Sequence, residues 1–322
     1  MAKKALIIGI DDYTSAPLNG CVNDAISVSE LLGTNGNGSP NFDVSLNLNV
    51  KTKAEMLSLL NALFKGDSDI ALLYFSGHGS EYGGGHLVTP DHNGYDLGVS
   101  MNDILGMANR SKCKNVIVIL DCCFAGNLGE SFTTQGTESH LGEGVTIMTA
   151  SPRDDVAIEY DGQGVFTGLL IQGLRGGASD ITGRITPASL YSFIDQSLGE
   201  WEPRPIFKTN ISRFLPIRTI EPQVSKATLR KLSKYFPNKS DELVLDPSFE
   251  FTNDPTIDHE VVEPYALEKN VNIFKDLQLF ESVGLIEPVG EDHMYFAAMH
   301  SKSCKLTSLG LHYWRLSNDK RF

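Results

Sequence analysis

Three short runs, Ala71–Ser76 (ALLYFS), Val116–Leu120 (VIVIL) and Val145–Thr149 (VTIMT), are almost wholly apolar. Strands covered by helices on both faces look like this, because neither face meets water. Around them, the first two-thirds of the chain alternates short apolar runs with helical periodicity, the pattern of an α/β fold with a largely parallel sheet. Strands are predicted at Lys4–Ile10, Val44–Asn49, Ile70–Ser76, Val116–Leu120 and Val145–Thr149, with Ile206–Ile211 as a sixth. Helices are predicted at Cys21–Leu32, Lys53–Phe64, Met101–Asn109, Val165–Leu174 and Pro187–Leu198. Thr186 is suited to cap the last of these, and Pro187 to open its first turn.

Two stretches interrupt the alternation. Thr34–Asn41 is rich in Gly and Asn and reads as a surface loop. Phe124–Gly144 is polar, without clear period, and lies between two core strands; long loops of that kind are uncommon and usually functional. After Arg213 the character changes. Residues 214–226 carry two prolines and read as a linker. Beyond it come a helix at Ala227–Phe236, a polar acidic stretch, and a helix at Val271–Val283 ended by Gly284. Strand-like alternation follows at His293–Met299 and Leu311–Leu316. A chain of 322 residues suits two domains, divided as 1–213, linker 214–226 and 227–322.

The net charge of −13 disfavours nucleic acid as the main partner and suits basic peptides. The five cysteines are odd in number, two are adjacent, and none forms a CxxC. Neither a disulfide framework nor a zinc ribbon is signalled, so the expectation is a reducing, cytoplasmic compartment with a thiol free for chemistry. No apolar run reaches the roughly 20 residues of a membrane span. The apolar start, MAKKALIIGIDDY, is closed by Asp11 and Asp12 and reads as a first strand rather than a signal peptide.

Two strand ends carry the chemistry. ALLYFS runs into Gly77-His78-Gly79, and VIVIL runs into Asp121-Cys122-Cys123-Phe124. In parallel sheets, ligands and reactive groups gather beyond the carboxyl ends of the strands. A His at one end and a Cys at another form the arrangement in which a thiolate attacks and an imidazole manages protons. The flanking glycines would let the chain turn sharply and leave room for substrate. The amides of Gly79 and Cys123 would make a two-donor oxyanion hole. Taken singly, His78 could be structural and Cys123 a small buried hydrophobe; their joint placement favours catalysis.

YFSGHG followed by VILDCCFAG resembles the caspase, metacaspase and paracaspase superfamily, especially its bacterial members. The resemblance covers Lys3–Ile211 and includes GCVNDA (Gly20–Ala25), TAS (Thr149–Ser151), GVFT (Gly164–Thr167) and RPIFKTN (Arg204–Asn210). It departs from the commoner DxCHSG pattern in having Phe124 and Ala125. The resemblance implies a caspase-hemoglobinase-type α/β fold, with a mainly parallel six-stranded sheet flanked by helices, and cysteine endopeptidase activity. It makes Cys123, not Cys122, the nucleophile and His78 its partner. It also places Asp24, Asp121 and Cys21 around the first specificity pocket. Caspases that cut after Asp hold that carboxylate with arginines, one from the amino-terminal part of the fold, whereas here the first arginine is Arg110. Two carboxylates suit a substrate Arg or Lys instead. Residues 1–222 hold 15 Lys and Arg against 25 Asp and Glu, which would attract such substrates.

Three further expectations follow from the resemblance. Calcium is a candidate cofactor, with Asp91, Asp96 and Asp103 as candidate ligands, although PDHNGYD lacks EF-hand spacing and metal binding by His86 and His92 is not favoured. Asn115–Pro152 contains no Lys or Arg, so an enzyme cutting at basic residues would stay a single chain there and be switched by an ion, a protein partner or its own carboxy-terminal domain. That domain, FKDLQLFESVGLIEP…KLTSLGLHYWRL, resembles winged-helix modules. From Gln223 onward there are 12 basic against 15 acidic residues, which favours protein contact over DNA, although Lys302, Lys305, Arg315, Lys320 and Arg321 could form a local basic face. Family analogy points to signalling, antiviral defence or cell death. The alternatives are a catalytically silent scaffold or a regulator acting through the winged-helix-like domain.

Overall fold

The structure, a computed structural model, describes residues 1–93, 95–123, 140–150, 159–160, 163–199, 204–211, 215–252, 256, 258–259 and 266–321. They divide into two compact units, Met1–Glu221 and Pro222–Phe322.

The first unit is built on six strands: β1 (Lys3–Gly9), β2 (Asp43–Leu48), β3 (Ile70–Ser76), β4 (Asn115–Asp121), β5 (Val145–Thr149) and β6 (Ile206–Asn210). Their order is β6-β5-β4-β3-β1-β2, all parallel except β6, which runs antiparallel to β5. Among the described residues, the α-helices α1 (Cys21–Gly33), α2 (Lys53–Phe64), α3 (Met101–Arg110), α4 (Val165–Gln172) and α5 (Pro187–Ser197) accompany them. Every residue of β3, β4 and β5 is buried, as the uniformly apolar runs require. The period-2 pleat then sends alternate side chains into two cores. Ala71, Leu73 and Phe75 pack with Met56 and Leu60 of α2 and Ile104 of α3. Ile70, Leu72 and Tyr74 pack with Val28 of α1, Leu170 of α4 and Leu190 of α5. Each large side chain so buried contributes about 1.5–3 kcal/mol. At the start of α5, Thr186 accepts from Ser189 N–H, Ser189 closes a reciprocal capping box, and Pro187 stands in the first turn.

Residues 215–220 of the stretch read as a linker are held by the first unit. Ile217 is buried in the core with α1, α4 and α5, and Arg218–Thr219 pairs antiparallel with Arg184–Ile185. The Arg218 guanidinium donates to Thr34 O and Leu174 O. The Gly- and Asn-rich loop is docked on this segment, with Asn35 Oδ1 accepting from Thr219 N–H and Oγ1–H. Of the long loop after Cys123, residues 124–139 lie outside the described residues.

The second unit differs from its expectation. The helix predicted over Ala227–Phe236 is two short ones, α6 (Lys226–Leu229) and α7 (Leu232–Tyr235). Helix α8 (Glu268–Ser282) buries Phe274, Leu277 and Phe280 on one face and ends before Gly284, whose φ of 71° is the left-handed cap that glycine supplies. Neither predicted terminal strand is present. His293–Met299 contains helix α9 (Met294–Met299), which buries Met294, Ala297 and Ala298 at helical spacing. Leu311–Leu316 lies inside α10 (Ser308–Asn318), which Thr307 caps by accepting from Gly310 N–H. Tyr295, Phe296, Tyr313 and Trp314 have the composition of strands, but the buried residues of α10, Gly310, Tyr313 and Ser317, recur at helical spacing as those of α9 do, and tertiary packing overrides β propensity. The strands are β7 (Glu242–Val244), β8 (Ile286–Val289) and β9 (Ser303–Leu306), in antiparallel order β7-β9-β8. The two-stranded wing expected at 293–316 is therefore absent in that form. Pro288 is tolerated because β8 is an edge strand.

Candidate active site

The sheet register sets the site. Ser76 at the end of β3 pairs with Gly9 of β1 on one side and with Asp121 of β4 on the other. Three strands therefore end flush, and the chain leaves β3 and β4 side by side. Two residues beyond the paired Ser76 and Asp121 stand His78 and Cys123. Gly77 N–H still reaches Asp121 O at 3.4 Å, and Ile10 N–H reaches Ser76 O at 3.0 Å, which draws the β1–α1 loop to the same edge.

The glycines on either side of His78 are needed by the protein's own packing. A Cβ on Gly79 would lie 2.0 Å from Cys123 O, and one on Gly77 would lie 2.6 Å from Tyr13 Oη. The room expected for substrate is, at these two positions, filled by Cys123 and Tyr13. Gly79 pairs with Leu87 in a small antiparallel ladder, and the Val88 N–H bond to His78 O (2.9 Å) flanks that pair. Gly79 thus occupies a non-hydrogen-bonded position, and the ladder leaves its N–H out of the pairing.

His78 is half-buried, and the β1–α1 loop holds its imidazole. Its Nε2 lies 2.7 Å from Ala16 O. A carbonyl oxygen only accepts, so Nε2 carries the hydrogen and the neutral ring keeps its lone pair on Nδ1. Asp11 fixes that loop, because its carboxylate accepts from Cys21 N–H (2.9 Å) and Val22 N–H (3.2 Å) at the start of α1, where Gly20 offers no side-chain cap. Neither Tyr13 nor Ala16 is singled out by sequence reasoning. Ala16 acts through its backbone, and the one available signal for Tyr13 was its place just beyond the first strand.

The adjacent cysteines part company through the pleat. Cys122 follows Leu120 into the core against α2 and α3, is 1% exposed, and has its thiol pushed well up by burial and by Asp121. Cys123 is only partly buried. Cys21 is buried in the first turn of α1, hydrogen-bonded to Ser76, and its thiol is likewise raised by burial.

On the opposite face of the sheet, Asp24 and Asp121 come together at Gly164. A Cβ there would lie 2.7 Å from Asp121 Oδ2 and 3.4 Å from Asp24 Oδ2, and Gly164 N–H donates to Asp24 Oδ2 at 3.4 Å. Asp121 Oδ2 also accepts from Thr167 Oγ1–H at 2.6 Å, and Tyr74 Oη lies 2.6 Å from that hydroxyl. Both carboxylates are buried and raise the Tyr74 phenol, after burial itself.

Residues 2–231 match the family model described as the caspase domain, Peptidase_C14. The chain belongs to this family of cysteine peptidases. Among solved structures, a Geobacter sulfurreducens protein has a TM-score of 0.51 at 15% identity, covering 69% of this chain and 100% of its own. Caspase-1 from Spodoptera frugiperda gives a TM-score of 0.49 at 14% identity, covering 68% of this chain and 90% of its own. No curated protein sequence matches. The six-stranded, mostly parallel sheet flanked by helices is the caspase-like fold, and the candidate residues lie at the carboxyl edge of that caspase domain.

The three aspartates named as calcium candidates lie in different settings. Asp91 accepts from Lys53 N–H and Thr89 Oγ1–H, Asp96 pairs with Lys53 Nζ at 2.9 Å, and Asp103 stands exposed in the first turn of α3. His86 and His92 each bond a backbone carbonyl, of Tyr82 and Thr89. Among the described residues no three His, Cys, Asp or Glu side chains assemble as a cation site. Nor is any described helix long and apolar enough to cross a membrane.

Proposed function

We propose that this caspase domain is an endopeptidase in which Cys123 is the nucleophile and His78 its base, cutting protein substrates after Arg or Lys. The observation that carries the reading is the pairing of Ser76 with Asp121, which makes His78 and Cys123 equivalent positions just beyond two adjacent parallel strands. The different burial of the two cysteines supports Cys123, since a buried thiol is inert. The Ala16 carbonyl supports His78 as base, because it commits Nε2–H and leaves Nδ1 to take the thiol proton. The thiolate then adds to the substrate carbonyl, and the amides of Gly79 and Cys123 receive the developing oxyanion. The imidazolium returns its proton to the leaving amine, and water, activated by the same nitrogen, releases the acyl group. Asp24 and Asp121, converging on Gly164, are the groups proposed to pair with a substrate guanidinium or ammonium, with Cys21 lining the pocket from the α1 side.

The test is hydrolysis of short fluorogenic peptides ending in Arg, Lys or Asp, with and without calcium. Turnover of the Arg and Lys peptides, lost in Cys123→Ala, is expected. Turnover of the Asp peptide alone would overturn the specificity, and turnover that survives Cys123→Ala would overturn the nucleophile.

A further inference from the structure

Behind the histidine lies a side chain that no substrate would meet. Tyr13 is 3% exposed, and its hydroxyl is built into the backbone that carries His78. Tyr13 Oη accepts from His78 N–H at 3.0 Å and donates to Val88 O at 3.2 Å, while Val88 N–H donates to His78 O at 2.9 Å. These three bonds close a ring around the residue. The Tyr13 ring also packs on the imidazole, with centroids 4.5 Å apart and planes tilted by 59°. Tyr13 belongs to the same short loop as Ala16, whose carbonyl holds Nε2. That loop is itself tied together, because Tyr13 N–H and Leu18 N–H both donate to Asp11 O. Gly77 has no Cβ where the hydroxyl sits, so the neighbouring chain is shaped around this contact.

We propose that Tyr13 is a positioning residue, which fixes the backbone and ring orientation of His78 so that Nδ1 faces the Cys123 thiol before substrate arrives. The proposal rests on the reading of His78 and Cys123 as the dyad. Its physical basis is preorganisation: a base held at the productive angle loses little freedom in the reaction, whereas a loose one must be ordered at each turnover. The phenol is suited to the task, since burial raises its pKa above the ordinary tyrosine range and it remains a neutral donor.

The experiment measures iodoacetamide alkylation of Cys123 against pH in the full chain, read by peptide mass. The other four cysteines are buried, and Cys123→Ala is the blank. In the wild type, reactive thiolate is expected at lower pH than in His78→Ala, because the imidazolium stabilises it. Tyr13→Phe keeps the ring and removes the hydroxyl; its profile is expected to move up by about half to one pH unit. Its kcat on the best peptide is expected to fall about tenfold, with KM little changed. Gly77→Ala, whose Cβ would lie 2.6 Å from that hydroxyl and 2.8 Å from the Phe75 ring, is expected to move the profile the same way and serves if Tyr13→Phe does not fold. A Tyr13→Phe protein with wild-type alkylation and kcat would overturn the proposal, as would loss only in proportion to folded protein. A wild type that cuts no peptide, yet shows a His78-dependent profile shifted by Tyr13→Phe, would retain the positioning role and sink the peptidase reading. A wild-type profile indifferent to His78→Ala would overturn both.

Discussion

Gly79 and Gly164 each lack a side chain because another group occupies its place: the Cys123 carbonyl for one, the Asp121 carboxylate for the other. On the proposed function, the two positions separate the chemistry from the specificity. Gly164→Ala would push a methyl to 2.7 Å from Asp121 Oδ2 and disturb the carboxylates without touching His78 or Cys123. Loss of one charge-assisted bond to a basic substrate is worth about 1.5–3 kcal/mol, so kcat/KM for an Arg peptide is expected to drop about tenfold or more. Alkylation of Cys123 is expected to stay at the wild-type rate; a fall in both would place Gly164 in the reactive centre instead. That His78 and Cys123 stand at neighbouring strand ends is legible in the sequence, because both follow apolar strands in a parallel sheet. Tyr13 and Ala16 are not, since one works through a buried hydroxyl on its neighbour's backbone and the other through a carbonyl that any residue possesses.

At the scale of elements, legibility follows burial. β3, β4 and β5 are predicted within a residue or so of their ends, because strands apolar on both faces stand out from any helix. The strands of the second unit are only three or four residues long, and β7 and β9 carry Glu242, Ser303 and Lys305, so nothing marks them against the aromatic helices α9 and α10. The small sheet they form encloses Cys304, which is fully buried on the central strand β9. Burial, with Glu281 and Glu242 adding to it, pushes that thiol from its ordinary 9.0 up to about 12. Above pH 9.0 the unfolded chain releases this proton and the folded one keeps it, so stability falls as pH rises from there towards 12. The slope from one such group is about 1.4 kcal/mol per pH unit. Denaturant unfolding of the second unit between these limits is expected to be steeper in pH for the wild type than for Cys304→Ala; equal slopes would show that the thiol titrates alike in both states.

For the molecule as a whole, charge and fold point the same way. The caspase domain is acidic, carries its first arginine only at Arg110, and brings two buried carboxylates to the edge where its candidate cysteine is only partly buried. On the proposed function, this cysteine, guided by His78, attacks bonds following a basic residue. The most direct measurement is labelling by peptide ketones that trap a nucleophilic cysteine, one carrying arginine and one carrying aspartate, followed by intact mass and peptide mapping. One arginyl label per unbroken chain is expected, on Cys123, abolished by His78→Ala and outcompeting the aspartyl probe. Label on Cys122, or preference for the aspartyl probe, would contradict it.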